Sequence, residues 1–260
     1  LRYTAVQTQD ALWRTSLNFS TNSNRLVSLS DELFETTNDF IYPTEGHTGE
    51  PIQVNTHRID IGGPIGNFYG WDSVDITDDG EWIIKNEAGD LIPLGEAGPD
   101  DRTVLGNGIP KWHLSWNNSF NYKAFDLNVS MRGAFGHQII NFQRLYYENP
   151  RVIQYNMLKT AFDQVYGKAV LNQDLAYVSH YIEDGNYWKI DNVTLGYTLD
   201  LNRLNVRNAR VYVSGQNLFT ITGYKGMDPE VSFGGLAPGM DHRDKFPTTR
   251  TFTLGVNLTF

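Results

Sequence analysis

Thr248-Thr-Arg-Thr-Phe-Thr-Leu-Gly-Val-Asn-Leu-Thr-Phe260 decides the fold. Arg250, Phe252, Leu254, Val256, Leu258 and Phe260 fall on one face of an extended strand, and Thr249, Thr251, Thr253, Gly255, Asn257 and Thr259 on the other. Period two with one apolar and one small, polar face marks a strand between two unlike environments. The run is long enough for a tilted membrane-crossing strand, which needs about 9–11 residues. It finishes on an aromatic residue, as strands do where they meet the lipid interface. The expectation is a transmembrane β-strand with Phe252, Leu254, Val256, Leu258 and Phe260 facing lipid and its end at the periplasmic rim.

The same alternation recurs upstream. Trp112, Leu114, Trp116, Phe120 and Tyr122 alternate with His113, Ser115, Asn117, Ser119 and Asn121, and Asn118 is the exception on the apolar face. After Lys123-Ala124 the pattern resumes with Phe125, Leu127, Val129, Met131 and Phe135 against Asp126, Asn128, Ser130 and Arg132, which predicts a hairpin. Trp13–Ser20 and Asn192–Leu199 alternate likewise, and residues 209–221 slip phase near Gly215-Gln-Asn217, where a bulge is expected. Strands are predicted near 2–8, 12–22, 111–122, 126–136, 187–199, 209–221 and 248–260. Short links fall near 8–11, 123–124 and 200–208, long ones at about 27–110, 137–186 and 222–247. Outer-membrane barrels alternate short periplasmic turns with long extracellular loops. With Phe260 at the periplasm, Tyr122, Phe125, Trp13 and Tyr197 join it at the inner rim, while Trp112, Phe135 and Trp188 form an outer girdle. Seven strands are an odd number and too few to enclose a large lumen. The fold class is therefore all-β: a transmembrane antiparallel β-barrel segment of about seven strands, residues 1–260 being the carboxy-terminal portion of something larger.

Composition fits this reading. The 260 residues include 14 Tyr, 14 Phe, 6 Trp, 24 Gly and no Cys, so thiolate metal sites and disulfides are excluded. No apolar run approaches the length of a membrane-spanning helix.

Ordered strings along the chain resemble one family. Val104-Leu-Gly-Asn-Gly-Ile-Pro-Lys-Trp112, Asn118–Leu127, Tyr181–Leu199, Ala209-Arg-Val-Tyr-Val-Ser-Gly-Gln-Asn-Leu-Phe219, Tyr224-Lys-Gly-Met-Asp-Pro-Glu230 and Phe246–Phe260 are similar to the late barrel of SusC/RagA-type TonB-dependent transporters. Gly49-Glu-Pro-Ile and Gly66-Asn-Phe-Tyr-Gly70 resemble an upstream piece of it. Trp188 and Asp200 depart from that pattern, where smaller aliphatic and Pro residues are more usual. The resemblance implies an outer-membrane location, a plug coupled to a TonB energy-coupling complex, and a surface lipoprotein of the SusD type as partner. It further implies import of oligosaccharides or peptides; an enzyme ranks third, because nothing resembling a nucleophile–base pair or metal site appears in the sequence, and no cofactor is expected. A soluble or surface β-rich carbohydrate-binding protein or adhesin is the alternative, since the alternation and aromatics suit it too.

Candidate sites follow from the residues themselves. Asp31 to Arg102 carries seventeen acids and three bases, a net −14 in a chain of −9, which argues against nucleic acid as a partner. This stretch reads first as a solvated loop kept soluble by charge. Phe68, Tyr69, Trp71 and Trp82 are candidates to stack on sugar rings, or else the small core of a long loop. Arg14, Arg132, His113 and Asn117 project into the lumen, towards plug or ligand. Asp75-Ile-Thr-Asp-Asp-Gly80 lacks the bidentate acid of a calcium loop and reads as an Asp-Gly turn, so no metal ligand is assigned. Asp72-Ser-Val74 has the form of a short bacterial O-glycosylation sequence. Asp241-His-Arg-Asp244 looks catalytic by composition alone, without a nucleophile nearby, and no Gly-x-Ser-x-Gly or His-Glu-x-x-His occurs. Catalytic residues are therefore expected to be none. Leu158, Ala161, Phe162 and Val165 carry helical spacing, predicting a helix across roughly 145–168 that packs over the barrel mouth or touches a lid.

Overall fold

The computed structural model describes residues 1–30, 35–203 and 206–260. Asp31 and Glu32 of the acidic stretch and Leu204-Asn205 of the expected 200–208 link lie outside the described residues. Seven strands form one antiparallel sheet in chain order: β1 (Arg2–Gln7), β2 (Ala11–Thr21), β3 (Trp112–Tyr122), β4 (Phe125–Phe135), β5 (Tyr187–Arg203), β6 (Val206–Thr222) and β7 (Thr251–Thr259). Each lies within a few residues of its expected place, apart from the β5–β6 hairpin. There, strand pairing continues to Arg203↔Val206, through most of the predicted link. At 17 residues each, these two strands exceed the about 9–11 needed to cross a bilayer. The sheet is open, for β7 pairs with β6 and not with β1.

Register keeps the two faces separate over the full width. One row runs Trp13–Phe120–Leu127–Leu195–Val213–Leu254, apolar on all six strands. Another runs Ser16–Asn117–Ser130–Asn192–Gln216–Thr251, polar on all six. A one-residue slip anywhere would exchange these faces. The expected slip is present as a bulge: pairing jumps from Asn192↔Gln216 to Ile190↔Phe219, and Asn217 takes φ 53°. That extra length returns Phe219 and Ile221 to the apolar face, beside Ile190 and Trp188. Aromatic rings meet at both ends of the sheet, with Phe135 stacked 4.1 Å from Trp112 and Phe125 4.6 Å from Tyr197.

Asn118, the polar residue on the apolar face, is buried and accepts a 3.1 Å hydrogen bond from Trp13 Nε1. Its cross-strand neighbour Thr15 accepts 2.8 Å from Trp116 Nε1. Two indoles thus satisfy the two polar groups, which matters where no water can do so.

The apolar core lies in the long connections. Phe68, Ile76 and Trp82 from the first, Ile140, Phe142, Leu145, Tyr146, Tyr177, Val178 and Tyr181 from the second, and Ala237 and Met240 from the third form one buried cluster. Backbone pairing ties the same segments: Gln138–Asn141 sits between Ile182–Asp184 and Met240–Asp241. The predicted helix across 145–168 is not formed. A shorter one, α1 (Phe142–Tyr147), starts at Asn141, whose side chain accepts from Arg144 N at 3.0 Å. It ends before Asn149-Pro150, because a residue preceding proline is driven out of helical geometry. Only a 3₁₀ turn, Lys159–Phe162, remains of the predicted face; it buries Ala161 and leaves Phe162 60% exposed.

Leu254, at 78% exposure, and Thr253 test the sidedness of β7 in the intact barrel. Leu254→Arg places a charge on the apolar face at a cost of about 2–4 kcal/mol at the bilayer midplane. Thr253→Arg points it to the polar face. The first should lower the folded fraction in heat-modifiable gel mobility far more than the second, and equal yields would contradict the assigned faces.

Candidate functional site

The first long connection builds a charged cleft of about 710 Å³, lined among others by Arg58, Tyr69, Lys85, Glu87, Asp100 and Arg102. Its wall is an alternation of rings and guanidiniums. Phe40–Ile41 pairs with Ile59–Asp60, and Asn67–Gly70 pairs with Thr103–Asn107, which brings the contributing residues side by side. The Arg58 guanidinium lies 4.0 Å from the Phe40 centroid and 4.8 Å from that of Tyr69. Arg102 lies 4.9 Å from Tyr69 and 5.5 Å from Trp71. Each such contact contributes about 0.5–1 kcal/mol where exposed and more when desolvated. Directional bonds lock the order: Arg58 donates to Tyr69 Oη (3.0 Å) and Asp60 (2.8 Å), and Arg102 donates to the Tyr69 carbonyl (2.8 Å). Among the described residues Arg102, Lys85, Glu87 and Asp100 make no ion pair, so the cleft offers unmatched charges of both signs.

This arrangement corrects the expectation of an aromatic stacking platform. Phe68 and Trp82 are 0% and 1% exposed and belong to the loop core, the blander of the two readings. Tyr69 and Trp71 reach the cleft region, but guanidiniums pack against their rings. Arg58 and Arg102 were not foreseen. Their isolated positions carry no local signal, and only the pairing of distant strands places them against the aromatics.

The polar face of the sheet carries the other expected residues. Arg132 donates to Glu230, with one bond of 3.0 Å, and pairs with Asp191 at 3.2 Å. Lys189, 2% exposed, pairs with Glu230 at 2.9 Å and Asp228 at 3.6 Å. Lys245 Nζ donates to the carbonyls of Asp228 (3.3 Å) and Glu230 (3.0 Å). The third connection therefore folds inward and clasps the upper wall, and Arg132 is occupied by its own chain. Phe233 approaches His113, with ring centroids 6.3 Å apart. Arg14 and Asn117 sit lower, in an open depression shared with Arg2, Ser16 and Asn128.

Other motifs resolve into structure. Ser73 of the Asp72-Ser-Val74 sequence is buried, and its Oγ accepts from His180 N at 3.1 Å. The Asp75 carboxylate is held by Lys168 and by Ile76 N (2.9 Å), and Thr77 to Gly80 form the turn between Asp72–Ile76 and Trp82–Lys85. Asp241 is fully buried, accepts 2.7 Å from Tyr224 Oη, and burial raises its pKa. Arg243 of the same motif stacks on Tyr146 at 4.2 Å.

No protein-family model matches the chain. It is 30% identical over 289 residues to the TonB-dependent receptor P3 of Formosa agariphila, covering 98% of this chain and 27% of that protein. It is 26% identical over 272 residues to the TonB-dependent receptor SusC of Bacteroides thetaiotaomicron, covering 98% and 25%. The chain thus spans about a quarter of the length of these relatives. A solved structure of the RagAB peptide importer in its closed-closed state superposes on all of it, 28% of that chain, with a TM-score of 0.78 at 22% identity; this likeness shows the barrel fold.

Three histidines in the loop core carry a pH dependence. Burial lowers His57, His137 and His180 from 6.5 to about 4. The neutral ring suits their contacts: Arg144 Nη2 lies 3.0 Å from His180 Nε2, and neither His137 nitrogen has a partner among the described residues. Because the folded values are depressed, their stabilisation is fully present above about pH 6.5 and is lost as pH falls towards 4. Acidification through that window should loosen the loops by on the order of several kcal/mol. Fluorescence of Trp82, 5.0 Å from His180, should report it, and a flat signal from pH 7 to 4 would contradict the burial argument.

Proposed function

Because this chain belongs among the SusC/RagA-type TonB-dependent receptors, we propose that it forms the carboxy-terminal part of an outer-membrane transporter actively importing oligosaccharides or peptides. The observation that carries the proposal is similarity along 98% of the chain to receptors named TonB-dependent, joined to a wall with one continuous apolar face. Phe252, Leu254, Val256, Leu258 and Phe260 contact outer-membrane lipid. The upstream strands and the plug, in the remaining three quarters of such a receptor, close the barrel, and the TonB complex acts through the plug. Of the two cargo classes, the cleft suits peptides better. Its Tyr69 ring is packed against Arg58 and Arg102, while unmatched cations and carboxylates suit the opposite charges of short peptides. The neighbour called a peptide importer is in keeping with this.

A SusD-like surface lipoprotein covers the outer side. The segment after α1 offers it a contact: Ile153 is 83% and Phe162 60% exposed, with Met157 and Leu158 between them. Cells whose intact transporter is the sole candidate route should accumulate labelled peptides in a TonB-dependent manner. Uptake of neutral oligosaccharides alone would reverse the cargo assignment, and uptake of neither would remove the transport reading. Ile153→Glu with Phe162→Glu should reduce lipoprotein co-purification without lowering barrel yield.

A further inference from the structure

We infer that Arg102 anchors a carboxylate of the imported peptide in the charged cleft of the first connection. The inference rests on the peptide reading above and deepens it by naming the side chain that recognises the ligand's charge. Arg102 is oriented without being neutralised. Its Nη2 donates to the carbonyls of Asn55 (2.5 Å) and Tyr69 (2.8 Å), and its guanidinium lies over the rings of Tyr69 and Trp71. Carbonyl dipoles and ring faces fix a cation in place but bring no opposite unit charge. Nε is buried without a partner, and Nη1 makes no bond among the described residues. Other guanidiniums of the connections are matched by acids. Arg58 has Asp60, Arg144 has Glu148 and Glu183, and Arg151 has Asp174.

The acids near Arg102 are engaged elsewhere. Asp101, its neighbour in the chain, accepts from Glu87 N (3.0 Å) on Oδ1 and from Gly98 N (2.7 Å) on Oδ2. Asp72 accepts from Ser179 Oγ at 2.9 Å. A guanidinium held ready by carbonyls and rings, in a cleft of about 710 Å³, therefore awaits its anion from outside the connection.

The lining selects the kind of anion. Five carboxylates and three cations face the cleft, so a densely anionic ligand such as a polyphosphate or a polyanionic glycan would meet more like charge than opposite. A single carboxylate on a chain that also carries an ammonium meets opposite charge at both ends. The carboxylate goes to Arg102, and the ammonium lies beside Glu87 and Asp100, neither of which forms an ion pair among the described residues. Charge-assisted bonds from a guanidinium to a carboxylate are about twice as strong as neutral ones, and prior orientation of the donor lowers the ordering cost of binding. A terminal carboxylate and an acidic side chain share this chemistry.

The test incubates the intact receptor and its surface lipoprotein with short peptides randomised over uncharged side chains. One pool has a free carboxy terminus, one is amidated, and one is amidated but carries an internal Glu; retained peptides are quantified by mass spectrometry. The free-acid pool should be retained about tenfold better than the amide, the loss expected for one charge-assisted bond. Recovery of that advantage in the Glu pool identifies any accessible carboxylate as the ligand group, and no recovery identifies the chain terminus; either result keeps the anchor. Arg102→Gln should abolish the preference, with Trp82 fluorescence confirming that the connection is folded. Arg102→Lys, the second variant should Gln loosen the connection, should reduce it severalfold, because a lysine cannot serve both carbonyls and the ligand. Equal retention of acid and amide by the unsubstituted receptor, or an undiminished preference in either folded variant, would overturn the anchor and leave peptide cargo standing. Retention of no peptide from any pool would overturn the cargo reading, and the anchor with it.

Discussion

Hydrocarbon offers no partner to a backbone amide, and that single constraint organises this chain. Each strand in lipid must find its hydrogen bonds in a neighbouring strand, so a spanning sheet must be continuous and finally closed. Once the backbone is committed to a sheet, side chains have only two directions to point. The rows of Trp13 to Leu254 and of Ser16 to Thr251 are the consequence, six strands deep and of opposite character. Exceptions prove subject to the same rule. Asn118 and Thr15 persist on the apolar face because indole N–H groups reach them, and the bulge at Asn217 restores phase where it slips.

A second division of labour follows. The wall is too thin to have an interior, being one sheet with different surroundings on its two sides. Packing of the ordinary globular kind is confined to the connections, where Trp82, Tyr146, Tyr177 and Tyr181 are all but removed from solvent. Charge settles the places where connections meet the wall. Lys189 is almost wholly buried beneath Asp228 and Glu230, an arrangement in which losing either sign leaves a stranded opposite charge.

Strands were legible in the sequence because a period of two is a local signal, written within ten residues and repeated. Even the irregularity at Gly215-Gln-Asn217 was visible as a break in that period. The charged cleft was not. Tyr69 and Trp71 stood out by composition, but Arg102 becomes their partner only when Asn67–Gly70 pairs with Thr103–Asn107 across some thirty intervening residues, and Arg58 reaches Tyr69 only when its backbone bonds to Asn67. The helix predicted across 145–168 failed for a related reason. Leu158, Ala161, Phe162 and Val165 have helical spacing, yet Pro150 and the pull of the loop core shaped that segment instead. Arg132 was placed on the correct face, while its partner Glu230, 98 residues away, could not be read from spacing.

The shared core of the three connections bears on how such a surface can diversify. Phe68, Tyr177 and Met240 come from three separate stretches and meet in one cluster. Grafting one stretch from a relative would present foreign shapes to the other two, leaving gaps or collisions that close-packed interiors do not forgive. Variation in these connections must then travel as a matched set. Recombination that carries all three stretches together preserves the unit, whereas piecemeal drift is confined to outward positions such as Val27, 82% exposed and outside that cluster.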